Sequence, residues 1–230
     1  MSDNNPDQIP TSQPAAGPGN HEVNPDWTIG EVLSEAWKLK DGFKGTYWGA
    51  LLIYAVITVV ITGVLEFIAN DSSMMKVISQ LITGFITYPL VVGMMMIAIK
   101  RSVGIPTNVA MVFDYYPKTM PIFLTYLLMP LLIFIGFLLL VLPGIYLAIA
   151  YALALPLLVD KNMGIWEAME ASRKAITPCW FRVFGLFLLG GIILMISALP
   201  LGIGLIWTVP FFGLAAAIVY RNLVGVSQSA

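Results

Sequence analysis

The feature that most constrains the fold is a pair of long apolar blocks that no charged residue interrupts. Stretches 121–159 and 183–220 contain no Asp, Glu, Lys or Arg. Each is longer than the roughly 20 residues that a helix needs to cross the hydrocarbon core of a membrane. A soluble domain has about a quarter of its residues charged, whereas this chain has 11% charged and 58% hydrophobic residues. The sequence therefore predicts an all-α integral membrane protein.

Dividing the apolar regions at their breaks predicts six spans. The breaks are the polar stretch 70–73, the turn Leu142-Pro143-Gly144 and the turn 199–202, since Pro ends a helix and Gly permits a tight turn. The predicted spans are about 46–69, 74–99, 121–142, 145–159, 183–198 and 203–220. The fourth is short, so a re-entrant segment is its alternative. This membrane domain, 28–222, lies between a disordered, acidic and Pro-rich tail, 1–27, and a short polar C-terminal tail, 223–230.

Cationic residues predict the orientation. With six spans, Lys76 is the one Lys or Arg on its side of the membrane, and all the others lie on the opposite side. Cytoplasmic loops are the ones enriched in Lys and Arg. We therefore expect both termini to be cytoplasmic.

A short amphipathic stretch precedes each pair of spans. These stretches are 28–40, 107–116 and 164–176, and Thr28 with Glu31 has the spacing of a capping box. The chain thus reads as three units, each an amphipathic helix followed by a hairpin of spans. The helices could simply brace the bundle at the inner membrane interface, or they could form a surface for lipids or partners.

Little in the sequence suggests catalysis. The one histidine, His21, lies in the tail, and the one cysteine, Cys179, has no histidine outside the tail to activate it. Nucleophile-elbow, zinc-protease and phosphate-loop motifs are absent. We predict no catalytic residue, no metal site and no cofactor, and hence no enzyme. The net charge of −1 excludes nucleic acid as a partner.

Two weak sets of candidate site residues remain. Arg173 and Lys174 could bind a lipid phosphate, or they could pair with nearby carboxylates. The candidates for lipid or partner contact are Arg173, Lys174, Asp160, Trp166 and Trp180. The candidates for a cavity or gate are Pro143, Gly144, Tyr146, Tyr151 and Pro156, for which ordinary kinks and packing are the alternative.

Three neighbouring motifs carry a family resemblance: LPGIYLA at 142–148, ALPLLVD at 154–160 and GIWEAMEASR at 164–173. They resemble a group of uncharacterised bacterial integral membrane proteins. The group includes the YciC-like proteins and is similar to the membrane domain attached to some glycerophosphodiester phosphodiesterases. The resemblance covers roughly 28–222, with the distinctive motifs confined to 142–173. It implies a six-span protein of the bacterial inner membrane without an assigned catalytic site.

The functional expectation is a non-enzymatic inner-membrane protein that acts through lipid or protein partners. The resemblance suggests envelope maintenance as the process, by analogy alone. Its partners would be membrane lipids, a second copy of the chain or another membrane protein. A small-solute or lipid transporter or channel is one alternative, and an accessory subunit of a larger membrane complex is another.

Overall fold

A computed structural model describes residues 23–69 and 73–227. Most of the predicted tail, 1–22, the residues 70–72 of the first turn and the last three residues lie outside this description. Throughout the described part the regular structure is helical, with no strand. Six of its helical segments are long and apolar enough to cross a membrane. The predicted all-α class is thereby confirmed, and the six apolar segments agree in number with the six predicted spans.

Nine α-helices follow one another along the described chain. They are α1 (Ile29–Leu39), α2 (Phe43–Ala69), α3 (Ser73–Ser102), α4 (Thr119–Leu139), α5 (Val141–Ala150), α6 (Ala154–Asp160), α7 (Ile165–Ile176), α8 (Trp180–Ala198) and α9 (Leu205–Val224). Short 3-10 turns at Val109–Phe113, Tyr116–Lys118 and Thr177–Cys179 precede α4 and α8. Helices α5 and α6 together form the fourth apolar segment, Val141–Asp160, and α7 continues through a 3-10 turn into α8 to form the fifth, Ile165–Ala198.

The turn between α4 and α5 differs from the predicted one. The break lies at Leu140, whose backbone is extended (φ −163°, ψ 151°), and Pro143 lies inside the first turn of α5. The first N–H groups of a helix have no partner within it, so proline's missing N–H costs nothing there. Gly144 packs against α4, because a Cβ on it would overlap the ring of Phe137. Pro143-Gly144 therefore starts a helix and does not form the turn.

A second break separates α5 from α6, and a serine on α7 satisfies the backbone there. The hydroxyl of Ser172 donates to the carbonyl of Ala150 (2.7 Å) and accepts the N–H of Leu153 (3.1 Å). Ser172 is fully buried. Buried backbone groups need such partners when a helix is interrupted. Helix α7 is thereby held against the fourth apolar segment.

The core lies where the second halves of α3 and α9 meet α6. Nearly every residue of these stretches is buried. Helices α1 and α7 and the turn Val109–Phe113 bury one face each against neighbouring elements. The capping box predicted at the start of α1 is present, since the Thr28 hydroxyl accepts from the N–H of Glu31 and the Glu31 carboxylate accepts from that of Thr28.

Away from this core, the helices expose apolar side chains. Phe67 at the end of α2 is 90% exposed, and Leu201 between α8 and α9 is 96% exposed. Such surface would be very costly in water. The exposed apolar helices therefore agree with a chain surrounded by lipid.

Candidate functional site

An open groove of about 620 Å³ lies between the start of α5 and the junction of α7 with α8. Most of its lining is apolar. Its lining residues are Leu142, Ile145 and Tyr146 from α5, Thr177, Pro178 and Cys179 from the 3-10 turn, and Trp180, Phe181, Arg182 and Phe184 from α8. Leu142 and Phe181 are largely exposed at its rim. The volume is within the range of about 300–1,000 Å³ that is common for small-molecule sites.

A chain of hydrogen bonds holds the two walls of the groove together. The hydroxyl of Thr177 donates its one proton to the carbonyl of Arg173 (2.6 Å). In its contact with Tyr146 it therefore accepts, and the Tyr146 hydroxyl donates to the Thr177 oxygen (2.7 Å). The indole N–H of Trp180 donates to the carbonyl of Tyr146 (3.2 Å). The Trp180 ring stacks on Phe184 with centroids 5.0 Å apart. The two hydrogen bonds of Tyr146, with Thr177 and Trp180, join residues that are more than thirty positions apart in the sequence.

Arg182 is the cation in the groove lining. Its Nη1 donates to the carbonyl of Trp27 (2.8 Å), and its guanidinium lies 5.6 Å from the centroid of the Trp27 ring. Trp27 is fully buried. Among the described residues, no carboxylate lies within ion-pair distance of Arg182. The groove thus contains a positioned guanidinium that has no ion-pair partner among the described residues.

The predicted lipid contacts Arg173 and Lys174 both reach Glu170. Arg173 makes a bidentate pair with it (2.7 and 2.9 Å), and Lys174 lies 3.5 Å from the same carboxylate. Of the alternatives open for these two cations, the structure shows the carboxylate pairing. Because the cluster has two cations and one carboxylate, it keeps a net positive charge beside the 3-10 turn at Thr177.

Asp160 lies apart from the groove, at the end of α6. Its carboxylate accepts the hydroxyl of Tyr220 (2.7 Å) and the backbone N–H of Ser227 (3.3 Å), with Lys161 at 3.5 Å. These partners satisfy a side chain that has no exposed surface. Trp166 lies on the exposed face of α7. Asp160 is thus held inside the fold by hydrogen bonds. Of the five candidates for lipid or partner contact, Trp180 is the one that lines the groove.

The predicted cavity residues also fall in different places. Tyr146 lines the groove, whereas Pro156 lines a smaller central cavity of about 180 Å³ between α3, α6 and α9. Tyr47 and Tyr220 are the hydroxyl-bearing residues of that central cavity. Tyr151 is buried against Met169 of α7. The structure thus divides the predicted set between two cavities and the packing around them.

Sequence reasoning missed Arg182 and Thr177. A signal was available for Arg182, because a cation directly after the aromatic pair Trp180-Phe181 at the start of an apolar segment is the pattern of a membrane interface. Thr177 offered no such signal. Its role depends on Tyr146, which only the folded chain brings near.

No metal-binding cluster of three or more His, Cys, Asp or Glu residues occurs in the part of the chain that the structure describes. No family model, curated protein or solved structure matches the chain.

Proposed function

We propose that this chain is a non-enzymatic, multi-pass protein of the bacterial cytoplasmic membrane that holds a phospholipid in the groove between α5 and α8. The groove itself carries the proposal: it is apolar, open at its rim, and has a guanidinium in its lining. Acyl chains suit its aromatic and aliphatic surface, and a phosphate suits Arg182. A role in envelope maintenance, as in the resemblance above, is compatible with lipid binding.

Of the three proposed units of amphipathic helix and hairpin, the second begins with the 3-10 turn Val109–Phe113 in place of an α-helix. The proposed orientation places both ends of the chain in the cytoplasm. The distribution of Lys and Arg supports it. So does a contact between the two ends of the described chain, in which Asn24 donates its N–H to the carbonyl of Asn222 (2.9 Å).

Native mass spectrometry of protein released gently from its own membrane tests lipid binding. We expect a retained phospholipid that survives activation sufficient to strip the surrounding detergent. Leu142→Trp fills the rim of the groove and should remove this lipid. Leu138→Trp is the matched control, because Leu138 and Leu142 are 77% and 79% exposed on the same hairpin and Leu138 does not line the groove. Equal retention in both variants would overturn the proposal.

Transport is the second candidate function, and the central cavity favours it. Pro156 and Tyr220 line this cavity inside the core. A transporter would show solute or lipid flux from proteoliposomes that disappears when Pro156 is replaced. Flux that does not change on replacement of Pro156 would argue against transport through this cavity. A second protein found in the native mass spectrum would favour the accessory-subunit alternative.

A further inference from the structure

We propose that the groove selects anionic phospholipids, and that Arg182 is the residue that binds the lipid phosphate. This inference rests on the proposed function, since it assigns the headgroup chemistry of a lipid in the same groove. It makes a residue outside the sequence-predicted set the determinant of specificity.

The first argument is the number of free donors. One N–H of Arg182 is used by the carbonyl of Trp27, and in the described chain no other acceptor is bonded to its guanidinium. By contrast, Arg221 gives both of its terminal nitrogens to Glu35, and Arg173 gives two donors to Glu170. A guanidinium binds phosphate through paired, charge-assisted hydrogen bonds. Arg182 still has donors to make them.

The second argument is preorganisation. The carbonyl and the ring of Trp27 both contact Arg182, and Trp27 is fully buried, so the guanidinium is anchored before any ligand arrives. Ordering a long side chain is one of the costs that normally weaken binding. Here the fold has already met much of that cost. A phosphate would therefore bind more strongly than it would to a mobile surface cation.

The third argument is the charge around the groove. Around the groove lie three cations, Arg173, Lys174 and Arg182, and two carboxylates. Glu170 is bonded to the first two cations, and Glu31 accepts the N–H of the peptide group whose carbonyl binds Arg182. A lipid such as phosphatidylglycerol adds negative charge to this region. The ammonium of a zwitterionic headgroup finds no free carboxylate among the described residues of the groove lining. The electrostatic potential around the groove thus favours lipids with net negative charge.

Lipid competition tests the selectivity. The protein is reconstituted into bilayers of equal parts phosphatidylglycerol and phosphatidylcholine, and the lipids it retains are measured by native mass spectrometry. We expect the wild type to retain phosphatidylglycerol about fivefold over phosphatidylcholine, which is the effect of one cation near the membrane surface. Arg182→Gln should lower the ratio toward that of the bilayer. Arg182→Lys, which keeps the charge, should preserve most of it.

Lys38→Gln is the matched control, because Lys38 is an exposed cation on α1 that does not line the groove. It should leave the ratio unchanged. An unchanged ratio in Arg182→Gln would overturn the inference while leaving lipid binding intact, provided that Leu142→Trp still releases the lipid. A wild-type protein that retains both lipids equally would also overturn it. If the wild type retains no lipid, the proposed function itself fails.

Discussion

The close approach of α3 to the turn Val109–Phe113 makes a strong prediction about Gly93. A Cβ at this position would overlap the carbonyl oxygen of Val112 and lie 2.8 Å from its Cα. Because these are backbone atoms, no side-chain rotation relieves the overlap, and the turn must move. Overpacking of this kind costs about 1–3 kcal/mol. The higher helix propensity of Ala offsets this cost by up to about 1 kcal/mol.

Gly63→Ala in α2 is the matched control, since a Cβ on Gly63 meets no atom within 4 Å. The gain in helix propensity is common to both variants, so the difference between their free energies of unfolding measures the overpacking cost alone. Gly93→Ala should therefore be less stable than Gly63→Ala by about 1–3 kcal/mol. For a chain of this size, that difference lowers the melting temperature by roughly 2–12 °C.

The lone cysteine provides the assay. Cys179 is 4% exposed in the folded protein, and the chain has no other thiol. A thiol-reactive dye that fluoresces on coupling will therefore report unfolding as the detergent-solubilised protein is heated. Equal melting temperatures for the two variants would refute the packing of the 3-10 turn on α3 at Gly93.

The same assay checks three further predictions. Arg221→Met should lower the free energy of unfolding by about 2–4 kcal/mol, because it unpairs the buried carbonyl of Ser102 (2.8 Å) as well as Glu35. A neutral result would contradict these two contacts. Ser172→Ala should lower the free energy of unfolding by about 1–3 kcal/mol, because it leaves two backbone groups unbonded at the α5–α6 break. A neutral result would show that α6 does not need this support. Tyr220→Phe removes one donor to the buried Asp160 carboxylate and should lower the free energy of unfolding by about 1–3 kcal/mol. A variant more stable than the wild type would contradict that hydrogen bond.

Helix class and number of spans followed from sequence patterns that act locally. A run of apolar residues without charge has one stable solution in lipid, a helix with all its backbone bonds satisfied internally. The capping box at Thr28 was also readable, because its partners are three residues apart. The turn between α4 and α5 was misplaced because Pro143 is compatible both with the end of one helix and with the first turn of the next.

The candidate site was less accessible to sequence reasoning. Tyr146 and Trp180 were both singled out, yet in separate sets, since nothing in the sequence shows that the indole of Trp180 reaches the carbonyl of Tyr146. Arg173 and Lys174 drew attention as cations, but their pairing with Glu170 depends on side-chain placement along α7. Arg182 differs from them in a way visible only in the fold, where no described carboxylate pairs with it.

The amino-acid sequence by itself determined a membrane-spanning, helical chain with six apolar segments, because hydrophobicity over twenty residues is a property of the local chain. Tertiary structure alone decided which helices meet, where the groove opens and which guanidinium keeps free donors. Those outcomes depend on contacts such as Arg182 with Trp27, between residues 155 positions apart. Local patterns specify which residues face one side of a helix, but only packing selects what that side touches.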